Sequence, residues 1–223
     1  MNGSIQRVVK LGGSLLSWSP TPIRLAAWIA SQPPASTLWV VGGGAAVEQL
    51  REAHRTQQLS DQQAHWQAIG VMDQHALRLA EWFPDWSIIQ NLPTADIVPV
   101  DPSAQVEPAN WIWQPSSSLR RQRDLPASWD VTSDSIAAWA AIQCRAQEVV
   151  LLKSTSATDS CLQEWSRAGL VDAFLPRLDL SPTRLRWVNL RNGDQRLADL
   201  AAIVDEAGSG NHAGADDGDS RPS

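Results

Sequence analysis

Short apolar runs that stop at glycine and then give way to helix-like segments constrain this chain more than any other feature. Val8-Val9-Lys10-Leu11 runs into Gly12-Gly13-Ser14, and Leu38-Trp39-Val40-Val41 runs into Gly42-Gly43-Gly44. Runs that stay apolar instead of alternating belong to strands covered on both faces. The expected order opens with a strand at Arg7 to Leu11, a helix from about Thr21 to Ser31 with Pro22 in its first turn, a strand at Thr37 to Val41 and a helix from about Ala45 to Thr56. A longer helix, Asp61 to Trp82, follows Ser60 as N-cap. Short strands are expected at Ser87 to Gln90, Ile97 to Val100 and Trp111 to Trp113, then a helix at Ser133 to Cys144 and a buried strand at Val149 to Leu152. A helix at Leu162 to Ala168, a strand at Arg184 to Leu190 and an amphipathic helix at Gln195 to Glu206 complete the series. This alternation predicts an α/β fold with a mainly parallel central sheet between helical layers. In such sheets ligands bind at the carboxyl ends of the strands, where both glycine runs lie.

Charge narrows the function classes. The net charge is −6 and the pI about 5.1, which argues against nucleic acid and membrane surfaces as partners. Arg120, Arg121 and Arg123 form the one basic cluster, too small for more than a local anion contact or a solvated turn. Cys144 and Cys161 lack metal-ligand spacing and suit a reducing compartment. The first strand begins close to Met1, leaving no room for a signal peptide, and no apolar run approaches a membrane span, so a cytoplasmic location is expected. Of the chain's 12 tryptophans, Trp28, Trp39, Trp66, Trp82, Trp139 and Trp187 fall in apolar patterns and read as core. Trp129 stands apart, directly before a polar motif. His65 and His75 lie on one expected helix without a partner that makes a catalytic case, and read as packing or surface residues. The stretch from Gly208 to Ser223 has no periodicity and reads as a disordered tail.

Four pieces point to phosphate. Glycine runs between a strand and a helix let backbone N–H groups approach an anion closely, and the following helix N-terminus adds favourable partial charge. The two runs, Gly12-Gly13 and Gly42-Gly43-Gly44, do not fit the single-loop nucleotide motif, so the anion site is expected to be assembled from two loops. Among 18 lysine and arginine residues only Lys10 and Lys153 are lysines, and each sits at the end of a strand-like run. A compact ammonium reaches a phosphoryl oxygen as a point charge where a flat guanidinium does not fit. The remaining piece is Trp129-Asp130-Val131-Thr132-Ser133-Asp134, in which Thr132 or Ser133 caps a helix and Asp134 falls in its first turn. An aspartate between two lysines would order both cations without competing for a transferred phosphate.

The segments VVKLGGSLL, VVGGGAAVEQLR, SWDVTSDSIAAW and VVLLKSTS resemble, in order and spacing, those of the amino acid kinase superfamily, which includes acetylglutamate, aspartate, uridylate and isopentenyl phosphate kinases. Within it the chain is most similar to 5-(aminomethyl)-3-furanmethanol phosphate kinases of methanofuran synthesis. Val171-Asp172-Ala173-Phe174-Leu175-Pro176 looks like that family's VDxxFP-like stretch, and Asn192-Gly193 like its NG segment. The likeness covers about residues 5 to 206, so residues 1–206 read as one domain and 207–223 as a tail. It implies a three-layer αβα sandwich, ATP with Mg2+ as cofactors, a small-molecule phosphate acceptor and a homo-oligomer, dimeric or larger. It further implies Lys10 and Asp134 as catalytic, with Gly12, Gly13, Ser14 and Lys153 on the ATP phosphates. Gly42, Gly43, Gly44, Trp129, Asp130, Thr132 and Ser133 would face the acceptor, with Asp130 open to an ammonium, the helix cap or solvent, and Trp129 to a flat ring or core packing. No protein metal ligands are implied. Two departures stand out: no lysine follows Lys153, and Lys153-Ser154-Thr155-Ser156 replaces the D-x-D-G turn usual near the adenine.

Overall fold

The computed structural model of the protein describes residues 4–93, 107–158 and 160–198. Strand β1 (Arg7–Leu11) and helix α1 (Thr21–Ala30) are followed by β2 (Thr37–Val41), α2 (Gly44–Arg55) and α3 (Asp61–Trp82). Then come β3 (Ser87–Ile89), β4 (Asn110–Trp113), the short α4 (Ser116–Leu119), α5 (Ser133–Cys144), β5 (Glu148–Lys153), α6 (Leu162–Arg167), β6 (Arg184–Asn189) and β7 (Gln195–Leu197). The seven strands form one sheet in the order β3-β4-β2-β1-β5-β6-β7. Every pairing is parallel except that of β6 with β7. Among the described residues, no helix is long and apolar enough to cross a membrane.

Side-chain alternation splits the strands between two cores. Val8, Leu38, Val40, Val149, Leu151 and Trp187 face α5 and the middle of α3. Val9, Leu11, Trp39, Val41, Val150 and Leu152 face α1 and the end of α3. This is the expected helix–sheet–helix sandwich. Helix α5 is buried along nearly its whole length, and its run of small residues, Ala137, Ala138, Ala140 and Ala141, lets it lie close to the sheet. Helix α3 opens as expected behind Ser60, whose hydroxyl accepts from Gln63 N at 3.2 Å while Gln63 Oε1 accepts from Ser60 N at 2.9 Å, a reciprocal capping box.

Two elements differ from the sequence reading: the short α4 is not among the expected elements, and the last expected helix opens as a strand. Gln195–Leu197 is a strand, not the first turn of a helix, and its residues pair antiparallel with Arg186, Trp187 and Val188. The intervening Asn192-Gly193 turn decides the outcome: Gly193 adopts φ +87°, and Asn189 N donates to the Asp194 carbonyl at 2.7 Å, closing a hairpin. Residues 199–206 of the expected helix, the expected strand at 97–100 and the tail at 208–223 lie outside the described residues.

Tryptophan supplies much of the packing. Trp39, 1 % exposed, meets Trp28 edge-on at 6.3 Å, stacks on Trp86 at 4.8 Å and donates from Nε1 to Asn110 Oδ1 at 2.9 Å. Replacing Trp39 with alanine empties this space and orphans the Asn110 acceptor. A loss of ~3–5 kcal/mol in unfolding free energy is expected, measured by chemical denaturation.

Candidate functional site

Strand period and register place the site before any side chain is considered. Lys10 shares a face with Val8, and Lys153 with Val149 and Leu151, so both ammonium groups rise from adjacent strands on the side covered by α5. Register pairs Lys10 with Leu151, which sets Lys153 two residues further toward the carboxyl edge. Asp134, in the first turn of α5, comes down between them. Its Oδ2 accepts from Lys153 Nζ at 2.7 Å. Its Oδ1 lies 2.8 Å from Lys10 Nζ, an ion pair whose angle falls short of a hydrogen bond. Lys153 also donates to the Leu170 carbonyl at 2.8 Å, and its ammonium sits 5.1 Å from the centre of the Trp187 ring.

All three groups are withdrawn from water, with side-chain exposures of 7 % for Lys10, 6 % for Asp134 and 13 % for Lys153. Burial by itself pushes the Asp134 carboxyl up, but the charges of Lys10 and Lys153 outweigh it and hold the group at about 2. Burial pushes Lys153 down; the Asp134 charge opposes this, the like charge of Lys10 adds to it, and the ammonium settles at about 8. Both ammonium groups share the Asp134 carboxylate, and a second carboxylate, Asp172, lines the same cavity and acts on Lys153 by its charge.

The glycine loops close over this cluster. A Cβ on Gly13 would lie 2.0 Å from the Gly44 nitrogen, so the two loops touch backbone to backbone. Gly44 itself adopts φ +53° with Gly13 O 2.6 Å from its would-be Cβ, a position only glycine fills without strain. Gly12 and Gly42 are needed for close approach. A Cβ on Gly12 would meet Leu152 O at 2.8 Å, and one on Gly42 would meet Gly13 N at 2.9 Å and Ser133 Oγ at 3.0 Å. Ser14 Oγ and Ser154 Oγ lie 2.9 Å apart, linking the first loop to the end of β5.

A cavity of about 490 Å³ opens on the cluster. Lys10, Gly13, Ser14, Gly43, Gly44, Trp129, Thr132, Ser133, Asp134 and Lys153 all line it, and ten of the thirteen sequence candidates therefore converge. The other three do not. Gly12 and Gly42 stand behind the lining, and Asp130 is exposed and does not line the cavity, the solvent-facing alternative the sequence left open for it. The carboxylate on that wall is instead Glu48, 2.7 Å from Arg51. Trp129 is half-buried, and one face is already taken, since the Arg51 guanidinium lies 5.3 Å from its ring centre. The remaining wall combines apolar Ile69, Met72, Val131 and Ile136 with polar His65 and Asp172.

Two roles escaped the sequence reading, those of Asp172 and His75. Asp172 caps α5 from 40 residues away: its Oδ2 accepts from Thr132 N at 2.9 Å, Thr132 Oγ1 at 2.8 Å and Ser135 N at 3.0 Å. Its Oδ1 accepts from the Ser135 hydroxyl, Phe174 N and Leu175 N. Thr132 holds the N-cap position, but neither its own side chain nor that of Ser133 caps the helix as expected. His65 is buried against the cavity, its ring facing the Ser128 carbonyl at 3.2 Å, and burial pushes its pKa down. His65 is thus packed, one of the two places expected for it, whereas His75 meets the Gly42 carbonyl at 2.8 Å, a contact the sequence did not reveal. Among the described residues no cluster of His, Cys, Asp and Glu is able to hold a metal ion.

This architecture is the amino acid kinase fold. Uridylate kinase from Archaeoglobus fulgidus superimposes with a TM-score of 0.55 over 87 % of this chain and 100 % of that one, at 16 % identity. UMP kinase from Bacillus anthracis gives 0.56 over 85 % and 89 %, at 14 % identity. Aspartate kinase from Synechocystis gives 0.58 over 86 % of this chain and 40 % of its own, at 11 % identity. No family model matches the chain, and no curated protein does. Similarity at this level carries the fold and nothing finer.

Two outcomes test the site's construction. Gly13→Ala must drive the glycine loops apart against backbone, so a melting temperature lowered by several degrees is expected, read by calorimetry. In Gly70→Ala the new Cβ meets nothing within 4 Å, and stability should hold or rise. The second outcome concerns acid. Asp134 titrates near 3.8 when unfolded and near 2 in the fold, so its contribution is complete above pH 4 and disappears as pH falls toward 2. The gap in melting temperature between the protein and its Asp134→Asn variant should therefore be wide at pH 6 and narrow between pH 4 and 2.

Proposed function

We propose that the protein is a small-molecule kinase that transfers the γ-phosphoryl group of ATP to a phosphorylated acceptor. The observation that carries this reading is the charge of the cavity floor. Two buried ammonium groups share one carboxylate there, beside the backbone of two glycine loops. Two desolvated, prepositioned ammonium groups suit an anion, and a phosphoryl group that gains charge as it transfers is stabilised most. The fold shared with uridylate, UMP and aspartate kinases supports the same class.

In this reading Lys10 neutralises charge developing on the transferring group, and Lys153 lies across Asp134 as the second cation. Gly13 and Ser14 hold the ATP phosphates from one side. Gly43 and Gly44, at the start of α2, hold the acceptor phosphate from the other. Asp134 touches neither substrate: it fixes both ammonium groups, so that little reorganisation is needed during transfer. Magnesium would arrive with the nucleotide and be held by phosphates and water, because Asp134 is engaged by the two lysines and Asp172 by its six donors.

For the acceptor we propose an aminomethylfuran phosphate, a reading that rests on the sequence resemblance. Three features of the cavity support it. The phosphate would meet the glycine loops, the flat ring would lie along Ile69, Met72 and Ile136 with Trp129 at the rim, and Glu48 supplies the carboxylate that Asp130 does not. Incubation with magnesium ATP and 5-(aminomethyl)-3-furanmethanol phosphate should yield the diphosphate, read by mass spectrometry. Uridine monophosphate, isopentenyl phosphate, aspartate and acetylglutamate serve as rival acceptors, and faster turnover of any of them would refute the furan assignment.

Lys10→Ala is expected to abolish transfer by a folded protein, and Asp134→Asn to slow it at least tenfold, ~1.4 kcal/mol of barrier. Because Lys153 settles at about 8, its charge is present below that pH and lost above it. The rate should accordingly fall as pH rises through about 8, well before an ordinary lysine near 10.5 would titrate.

A further inference from the structure

The loop after β2 is held at two successive peptide units, and the second is held by a histidine that the reaction does not otherwise need. Gly42 N donates to the Leu11 carbonyl at 2.9 Å, which extends the parallel pairing one step beyond the strand. The next unit, joining Gly42 to Gly43, has its carbonyl 2.8 Å from Nδ1 of His75, a residue in the second half of α3. A carbonyl oxygen only accepts, so Nδ1 carries the hydrogen in this contact. The ring is half-buried, one turn past Met72, which lines the cavity while His75 does not.

A trans peptide is planar, with its C=O and N–H pointing in opposite directions. Anchoring the Gly42 carbonyl on His75 therefore turns the Gly43 N–H away from that part of α3. Gly43 lines the cavity and precedes the first turn of α2, where N–H groups have no partner inside the helix. Glycine at positions 42 and 43 leaves this peptide free to rotate if nothing fastens it. We propose that His75 is a positioning residue: by holding the Gly42 carbonyl it aims the Gly43 N–H at the phosphoryl oxygens bound beside Lys10. The assignment rests on the kinase reading, since it gives the N–H an anion to meet. His75 itself touches no substrate.

Two substitutions separate aiming from packing. His75→Leu keeps a similar volume and removes the donor. His75→Asn places an amide N–H near the position of Nδ1 and restores it. Each variant is measured for kcat and KM with magnesium ATP, for inorganic pyrophosphate affinity by calorimetry, and for melting temperature. Misaiming one donor should cost less than deleting one, which lowers rates ~100–1,000-fold. The expected result for His75→Leu is a kcat lowered ~10-fold or more and pyrophosphate binding weakened several-fold, with KM for ATP rising less than kcat falls, and with His75→Asn recovering most of both losses. A His75→Leu protein that matches wild type in kcat and pyrophosphate affinity would overturn the assignment, as would a His75→Asn protein no better than His75→Leu. A wild-type protein that neither transfers phosphate nor binds pyrophosphate would overturn the kinase reading and this assignment together, whereas normal wild-type turnover with an indifferent His75→Leu would overturn this assignment alone.

Discussion

An ionised carboxylate between two ammonium groups, at the edge where the sheet meets α5, is the interaction on which the arrangement depends. Asp134 holds Lys10 and Lys153 at 2.8 and 2.7 Å, and none of the three has much access to water. Removing the carboxylate would leave two cations facing each other in a poorly solvated space, at a cost of several kcal/mol. Keeping it fixes two ammonium groups at the cavity floor, with Asp172 as a second carboxylate acting on Lys153. In the kinase reading, the same crowding of charge suits the site to an anion. Stability and function pull against each other here, and the crowded glycine loops, which admit no side chain, belong to the same compromise.

Much of this was legible in the sequence, for local reasons. Apolar runs ending in glycine announced β1 and β2, and the scarcity of lysine singled out Lys10 and Lys153. The position of Asp134 in the first turn of α5 followed from the polar residues ahead of that helix. What failed to show was whatever depends on residues distant in sequence. No local pattern reveals that Asp172 caps α5 in place of Thr132 or Ser133, or that His75 reaches the Gly42 carbonyl. For Asp130 the sequence left ammonium, helix cap and solvent open, because adjacency to Trp129 in the chain does not decide whether its side chain enters the same cavity. At Gln195 a helical apolar pattern competed with the Asn192-Gly193 turn, and the turn prevailed because the strand could pair with β6.

The tryptophans show how a chain without tyrosine builds its core. Trp39, Trp113, Trp165 and Trp187 are almost fully buried, and three of them lie on strands. Indole brings a large apolar surface with a single donor, and Trp39, Trp113 and Trp187 each place that donor on an oxygen. Trp187 also presents its ring to Lys153, so a core residue contributes to the charge cluster from below.

The clasp of Asp172 on the start of α5 sets the order in which the site is able to form during synthesis. When the ribosome has released residues up to 144, α5 exists as a sequence, but its N-terminal N–H groups lack their acceptor and Asp134 lacks Lys153. Releasing β5 supplies the second lysine, yet the carbonyl that steadies it, at Leu170, and the carboxylate that anchors the helix, at Asp172, emerge later still. A nascent chain whose released part ends before Leu170 therefore carries both lysines and both glycine loops without a finished centre. The charge cluster takes shape only when residues 170–172 fold back onto α5 and β5, so its assembly is tied to a late segment and not to the motifs that first draw the eye.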